Sequence, residues 1–384
     1  MAGNGGFCRS FVELCDLNDG FELHKLLRTT TGTHPTEEDK KDSCDDDIAA
    51  AVVAAWSAGD TPEGLESALD ALQKWSNRYL DRNAKVRWML TPMLWLAART
   101  RQLAVQLDGS DSRRYRERVV EAARALFTKL HRDKDRREGA LVICCELLRL
   151  YSSLGQASQC AFVLTTVGNA SKNNAFDAVK LPKSLLVTLY FLWGKHLVMA
   201  GSIEEAEDKL NRALAICPLK AARNRCQILR YLIPCRLRLG QYPTQGLLKR
   251  NDLQSLTGIV AATATGNVKR FSEELEKQED TLICWGTYLV VEKLKIVAYR
   301  NLVRHVYEIQ CELLEGAQKV KQDLAPFEQA FQWQDDCTPD ETLCLLAHLI
   351  YIGAVRGYLS DVHRKVVFSK EMPFPPVSSW STKA

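Results

Sequence analysis

The chain has 384 residues, 46% of them hydrophobic, and its 51 Lys and Arg against 47 Asp and Glu leave a formal net charge of +4. That composition excludes disorder throughout and is ample for a large core, with length for about two or three domains. A charge so near balance does not itself indicate nucleic acid, so local clustering carries that question.

The start MAGNGGFCRSF has no apolar signal core, Ala2 excludes a myristoylation start, and no CxxC pair occurs among the 13 cysteines. A reducing compartment follows, with Cys144, Cys145, Cys160, Cys217, Cys226, Cys235 and Cys284 in apolar helical contexts as small buried hydrophobes. The best candidate for a membrane span, LLVTLYFLWGKHLVMAG, is interrupted by Lys195 before the roughly 18 apolar residues that a bilayer requires.

In chain order, residues 1–28 hold a segment, Arg9 to Leu27, whose weak helical periodicity predicts one short helix or a docking arm. Residues 29–47 (TTTGTHPTEEDKKDSCDDD) turn polar and acidic and read as a linker that buries little surface. Residues 48–284 are dominated by helical periodicity, punctuated at Gly59, Gly109, Gly155, Gly201, Pro218, Gly240 and Gly266. Trp193, Gly194, Leu197, Gly201, Ala206, Leu210, Ala213 and Pro218 match the tetratricopeptide pattern in spacing and residue class, where small residues let two helices approach closely. Leu147, Leu148, Tyr151, Gly155, Cys160 and Leu164 form a weaker copy, and Leu239 to Tyr242 a degraded one.

Residues 285–371 open with the basic stretch LVVEKLKIVAYRNLVRHVYE, read as one helix. Leu289, Leu294, Val297, Leu302 and Val306 give it an apolar face, and Lys293, Arg300 and Arg304 fall close to one polar stripe. Two shorter helical segments follow, the last spanning Asp340 to Ile352 and stopping at Gly353; AVRGYL and RKVVFS then predict a hairpin from Ala354 to Ser369. Helices followed by a hairpin is the order of a winged helix. The fold class expected is therefore all-α, a right-handed solenoid of tetratricopeptide-like hairpins, followed by a C-terminal winged helix and a tail at 372–384.

No phosphate-cradling loop, HExxH helix or nucleophile elbow occurs, so neither an enzyme nor a cofactor is expected. Cys344 and His348 with Cys337 form too sparse a set for a metal site and read as core or surface residues. The hairpin offers a better case, because phosphate binding needs long cations with few acidic neighbours. Arg356, His363, Arg364, Lys365 and Lys370 stand there against Asp361 and Glu371, and Lys293, Arg300 and Arg304 extend the expected nucleic-acid surface. Tyr299, Tyr351 and Tyr358 read as core and hairpin packing rather than base-stacking platforms. Between Asp208 and Asp252 there is no acidic residue, and Arg223, Arg225, Arg236 and Arg238 there form a second candidate surface, for a partner or nucleic acid. The cluster Arg113, Arg114, Arg116, Arg118 and Arg124, diluted by Glu117 and Glu121, reads as a solvated face.

The runs Leu289 to Tyr307, Leu346 to Ser360 and His363 to Pro376, with Leu232 to Arg250 upstream, resemble the PCI domain of the PCI domain-containing protein 2 family. The resemblance covers about half the chain, roughly 182–376, and puts a PCI domain at about 182–371. It implies a non-enzymatic subunit of the second transcription-and-export complex, nuclear and associated with nuclear pores, with the cytoplasm as an additional location. The implied partners are a larger PCI scaffold subunit of the germinal-centre-associated nuclear protein type, a small acidic peptide shared with the proteasome lid, and RNA or DNA. Asp361 departs from the family by placing a negative charge at the hairpin tip. The alternatives are a PCI scaffold of a signalosome, proteasome-lid or initiation-factor complex without nucleic-acid binding, and a tetratricopeptide adaptor for acidic peptides.

Overall fold

The computed structural model describes residues 7–17, 19–29, 46–81, 87–109, 112–133, 136–172, 181–314 and 316–380. The chain divides into two compact units, Met1–His196 and Leu197–Ala384.

The first unit contains α1 (Phe7–Asp16), α2 (Gly20–Thr29), α3 (Asp47–Ala58), α4 (Pro62–Leu80), α5 (Leu90–Asp108), α6 (Arg114–Arg132), α7 (Arg137–Leu154) and α8 (Ala157–Lys172), and α9 (Lys183–Ala200) begins in it. From α3 to α8 each helix packs on the next in sequence, as stacked hairpins must to bury apolar faces that no single hairpin can bury alone. Residues 9–27, expected as one short helix or an arm, fold instead into α1 and α2. Phe7, Phe11, Cys15, Leu23 and Leu27 are buried, and the Phe11 ring meets Trp75 edge-on at 6.1 Å. Residues 30–45 of the acidic linker lie outside the described residues, but Asp46 caps α3 by accepting from the Ile48 and Ala49 N–H groups at 2.9 and 3.1 Å.

The weaker tetratricopeptide copy lies on α7 and α8. Gly155 makes the turn between them at φ +72°, and Cys160 and Leu164 are buried. The start of α6 is anchored by Asp108. Its buried carboxylate accepts from the Tyr115 and Arg116 N–H groups at 2.8 and 2.9 Å and from Arg116 Nε at 2.9 Å.

The second unit continues with α10 (Ile203–Ile216), α11 (Ala222–Arg238), α12 (Gln245–Arg250), α13 (Thr257–Thr265), α14 (Val268–Lys277), α15 (Glu279–Trp285), α16 (Tyr288–Glu292) and α17 (Lys295–Leu313). β1 (Lys321–Asp323), α18 (Ala325–Asp335), α19 (Pro339–Tyr351), β2 (Gly357–Ser360) and β3 (Lys365–Phe368) complete it. Gly201, at φ +85°, turns the chain from α9 into α10, whose Ala206, Leu210 and Ala213 are fully buried. α10 packs on α11.

The stretch expected as one helix from Leu289 is two. The Lys293 N–H reaches Leu289 O at only 3.4 Å, and the backbone turns at Lys293 and Leu294 before α17 starts. The break lets Val290 and Val291 be buried from α16, which packs on α11, and leaves Leu289 60% exposed rather than on the core face. The winged-helix core joins Val297, Leu302 and Val303 of α17 to Phe327 and Phe331 of α18, Leu346 and Leu349 of α19, and Val366 and Phe368 of β3. Gly353, at φ +77°, ends α19 as expected. The sheet is antiparallel in the order β1-β3-β2. Its first strand was not expected from the sequence. The fold is thus a series of helical hairpins followed by a winged helix with a small sheet.

Cys284 is exposed and Cys226 half-buried, unlike the buried cysteines expected at these positions. Among the described residues no helix is long and apolar enough to cross a membrane.

Candidate nucleic-acid interface

The three short strands give the sheet two chemically different faces, because side chains alternate along each strand and register partners share a face. Gln322, Val366 and Leu359 are in register, with Gln322 and Val366 fully buried and Leu359 packed against the core. The opposite face carries two rows, Lys321, Val367 and Tyr358, then Asp323, Lys365 and Ser360. Arg356 follows two positions before Tyr358, and its carbonyl accepts from Ser369 N–H at 2.8 Å, which extends the ladder by one step.

The expected cations fall into three groups. Arg356, His363 and Lys370 are exposed at the hairpin and make no ion pair or hydrogen bond through their side chains among the described residues; Lys321 of β1 joins them. Arg364, at φ +49°, pairs with Glu328 and with Asp361 at 3.2 Å, Lys365 with Asp323 at 3.3 Å, and Arg304 with Glu308 at 2.6 Å. The pairs other than Arg364 with Glu328 are solvated and worth about 1 kcal/mol or less, so an incoming phosphate can compete for those cations. Lys293 is exposed but lies at the end of α16, outside the stripe expected on α17.

Arg300 is the exception. It is 6% exposed and its guanidinium is consumed internally, donating to Asn301 Oδ1 at 2.9 Å and to the carbonyls of Phe374 and Pro375 at 3.2 and 3.1 Å. Burial, with the nearby Arg304 charge, pushes it below the usual arginine range. As placed it cannot touch phosphate. Its neighbour Asn301 donates to Thr263 O at 2.8 Å and to Tyr242 Oη at 3.1 Å, so the pair ties α17 to α13 and to the segment after α11.

The stretch without acidic residues also divides. Arg236 pairs with Glu207 and donates to Asn211 Oδ1 at 2.6 Å, and Arg225 donates to the carbonyls of Leu214 and Cys217 at 3.3 and 3.2 Å. Arg238 stacks on Trp380, 5.4 Å from the ring centroid, and lines a pocket of about 220 Å³ with Leu239, Leu289 and Val377. Only Arg223 of the four stands exposed without a partner among the described residues, beside the equally free Lys220, Lys249 and Arg250. In the first unit, Arg116 is held by Asp108 and Arg118 by Glu66 at 3.2 Å.

The three tyrosines separate in the same way. Tyr299 is core, stacked on Phe331 at 5.5 Å and bonded to Asp335, and burial with that carboxylate raises its phenol pKa. Tyr351 and Tyr358 are 73% and 62% exposed, so neither packs as the sequence suggested. Of the residues on the outer sheet face, sequence reasoning missed Lys321 and read Tyr358 as packing. Lys321 sits in the strand KQD, which has no β-forming character to reveal it; Tyr358 was detectable, since alternation in AVRGYLS puts Arg356, Tyr358 and Ser360 on one face. Cys344 and His348 are exposed, and no group of three or more His, Cys, Asp or Glu suited to a metal ion occurs among the described residues.

No family model matches the chain. It is similar to Enhanced ethylene response protein 5 of Arabidopsis thaliana, 32% identical over 82% of this chain and 78% of that protein. It is 34% identical to the PCI domain-containing protein 2 homolog of Drosophila melanogaster, over 63% of this chain and 59% of the relative. The PCI domain-containing protein 2 of Danio rerio is 32% identical over 65% of the chain and 60% of its own length. The alignments thus span about three fifths of these two animal relatives.

Proposed function

From the premise that the chain belongs to the PCI domain-containing protein 2 family and is a PCI-domain scaffold subunit, we propose that it works in a nuclear mRNA-export and transcription-coupling complex at the nuclear pore, binding RNA or DNA backbone. PCI-domain proteins are generally non-catalytic scaffolds, and the mechanism is binding without chemistry. The observation that carries the reading is the outer sheet face and its hairpin, where Lys321, Arg356 and Lys370 are exposed without counter-ions among the described residues. Phosphate contacts release condensed counterions, so affinity falls with salt. Arg364 and Lys365 add to the field once phosphate displaces Asp361 and Asp323.

A larger PCI subunit is the partner that fits the exposed apolar residues of this module, foremost Trp333 of α18 at 78% exposure. A small acidic peptide is the complement of Lys220, Arg223, Lys249 and Arg250, which are exposed in the stretch between Asp208 and Asp252 that has no acidic residue.

The test is a salt titration of RNA binding by the full chain, alone and with its PCI partner. Replacing Lys321, Arg356 and Lys370 together by glutamine is expected to weaken binding at every sequence. The slope of log affinity against log salt should also fall, by about 0.7 for every single-strand phosphate left without its cation. Unchanged affinity and slope leave a scaffold without a nucleic-acid role, as in a signalosome, proteasome-lid or initiation-factor assembly.

A further inference from the structure

Tyr358 shares its exposure with Tyr351 and Trp333, but of the three it alone lies on the outer face of the sheet. Tyr299 stacks on Phe331, and Tyr307 packs on Phe368 and Phe374 at 4.6 and 5.3 Å, whereas Tyr358 is 62% exposed in the middle of β2. A lone exposed tyrosine means little by itself. Its surroundings give it meaning: across the outer face its row runs Tyr358, Val367, Lys321, the row beside it holds Lys365, and Arg356 lies two residues away on the same side of the strand. Adjacent strands are about 4.8 Å apart and alternate residues on a strand about 7 Å, so all three cations lie within side-chain reach of a group resting on the ring. An apolar floor at Val367, a ring presenting a face, and cations on three sides are complementary to a flat aromatic group with negative charge attached.

We infer that Tyr358 is a base-stacking platform, and that the ligand of this face is single-stranded nucleic acid. This deepens, and rests on, the backbone-binding reading above. A phenol ring can offer its face only to a base free of its own stack, as in single strands, while duplexes bury their bases. Stacking tolerates any base, so the platform adds affinity without strong sequence choice. Lys321 and Arg356 hold the flanking phosphates, while Lys365 pairs with Asp323 and offsets the one carboxylate on the same face.

The experiment compares the parental full chain with Tyr358→Ala, Tyr358→Phe and Lys321→Gln, using fluorescently labelled oligouridylate, oligoadenylate and a short RNA duplex at several salt concentrations. Loss of the ring is expected to weaken both single strands about fivefold or more, the effect of one stacked base, with an unchanged salt slope and no change on duplex. Tyr358→Phe retains parental binding, because the ring face and not the hydroxyl is used. Lys321→Gln lowers the salt slope. If Lys321→Gln lowers the slope while Tyr358→Ala binds single strands like the parent, stacking is refuted and backbone binding stands. If neither variant changes anything, backbone binding at this face falls as well. If Tyr358→Ala loses the PCI partner in co-purification but keeps RNA affinity, the residue belongs to a protein interface and the inference is overturned.

Discussion

The guanidinium of Arg300 donates to the carbonyl of Phe374 at 3.2 Å and lies 5.5 Å from the centroid of the same residue's ring. Through this contact and the bond to Pro375 O, the middle of α17 holds the segment that follows β3. A residue that sequence assigns to a phosphate-binding stripe is thereby a structural tie.

Arg300→Gln is therefore expected to destabilise the protein. Two carbonyls and Asn301 Oδ1 lose a charged donor, a loss of about 1.5 to 3 kcal/mol by denaturant unfolding. Arg304→Gln, one helical turn on, breaks only an exposed pair with Glu308 and should change stability by about 0.5 kcal/mol or less. Equal unfolding midpoints for the two variants would contradict the buried placement.

The positive-φ glycines should rank by what surrounds them. At Gly201 an added Cβ meets nothing within 4 Å, so Gly201→Val meets only backbone and β-branch strain, about 1 to 3 kcal/mol. At Gly266, φ +68°, a Cβ would stand 2.4 Å from the Leu302 backbone nitrogen and 2.7 Å from the Asn301 carbonyl carbon. Even Gly266→Ala should push α13 off α17 and melt at a lower temperature than Gly201→Val. A thermal melt of the three proteins checks the order.

Asp108 predicts an acid-sensitive hairpin. Burial alone would raise its carboxyl pKa, but the Tyr115 and Arg116 N–H groups, the Arg116 side chain and Ser112 together hold it below the ordinary 3.8. Its folded value lies below its unfolded value. The stability it contributes is thus present above pH 3.8 and lost as pH falls through the folded value. Asp108→Asn should be less stable at neutral pH by about 2 kcal/mol, and the deficit should shrink in acid. Unfolding curves across that range measure it; a deficit independent of pH would refute the charged role.

Trp333→Ala should leave the melting temperature close to parental, since the side chain is exposed, yet remove co-purification of the PCI partner if α18 docks it. Retained co-purification with an intact fold would place the partner elsewhere. The apolar residues of α19 do not serve this purpose. Leu346 and Leu349 are core, Leu345 and Ile350 pack against it, and only Tyr351 is exposed.

Helix ends were legible in the sequence wherever backbone chemistry is local. Gly155, Gly201 and Gly353 adopt positive φ where the helical patterns stop, and the β-branched run of β3 pairs with β2 through a short turn. Residues whose role depends on distant chain were not legible. Lys321–Asp323 becomes a strand only because β3 offers an edge some forty positions later, and Arg300 is buried by carbonyls contributed from residues 374 and 375. The break at Lys293 is of the same kind, since a continuous helix satisfies the local pattern and burial of Val290 and Val291 decides otherwise. At the candidate site, sequence found most of the cations and the local counter-ion Asp361, but not Glu328 and Asp323, which reach the hairpin from other elements.

Phe374 to Trp380 follow everything they fasten. Val377 closes on Gly240, Trp380 covers Arg238, and Arg300 waits for two carbonyls from this stretch. On a ribosome emitting the chain from its N-terminus, the helical hairpins can collapse as they emerge, while the second unit stays unlatched until Trp380 has cleared the exit tunnel. During that interval Arg300 of α17 lacks the two carbonyls that cover it. A nascent chain therefore has a window in which its repeats can be finished while its winged helix is not.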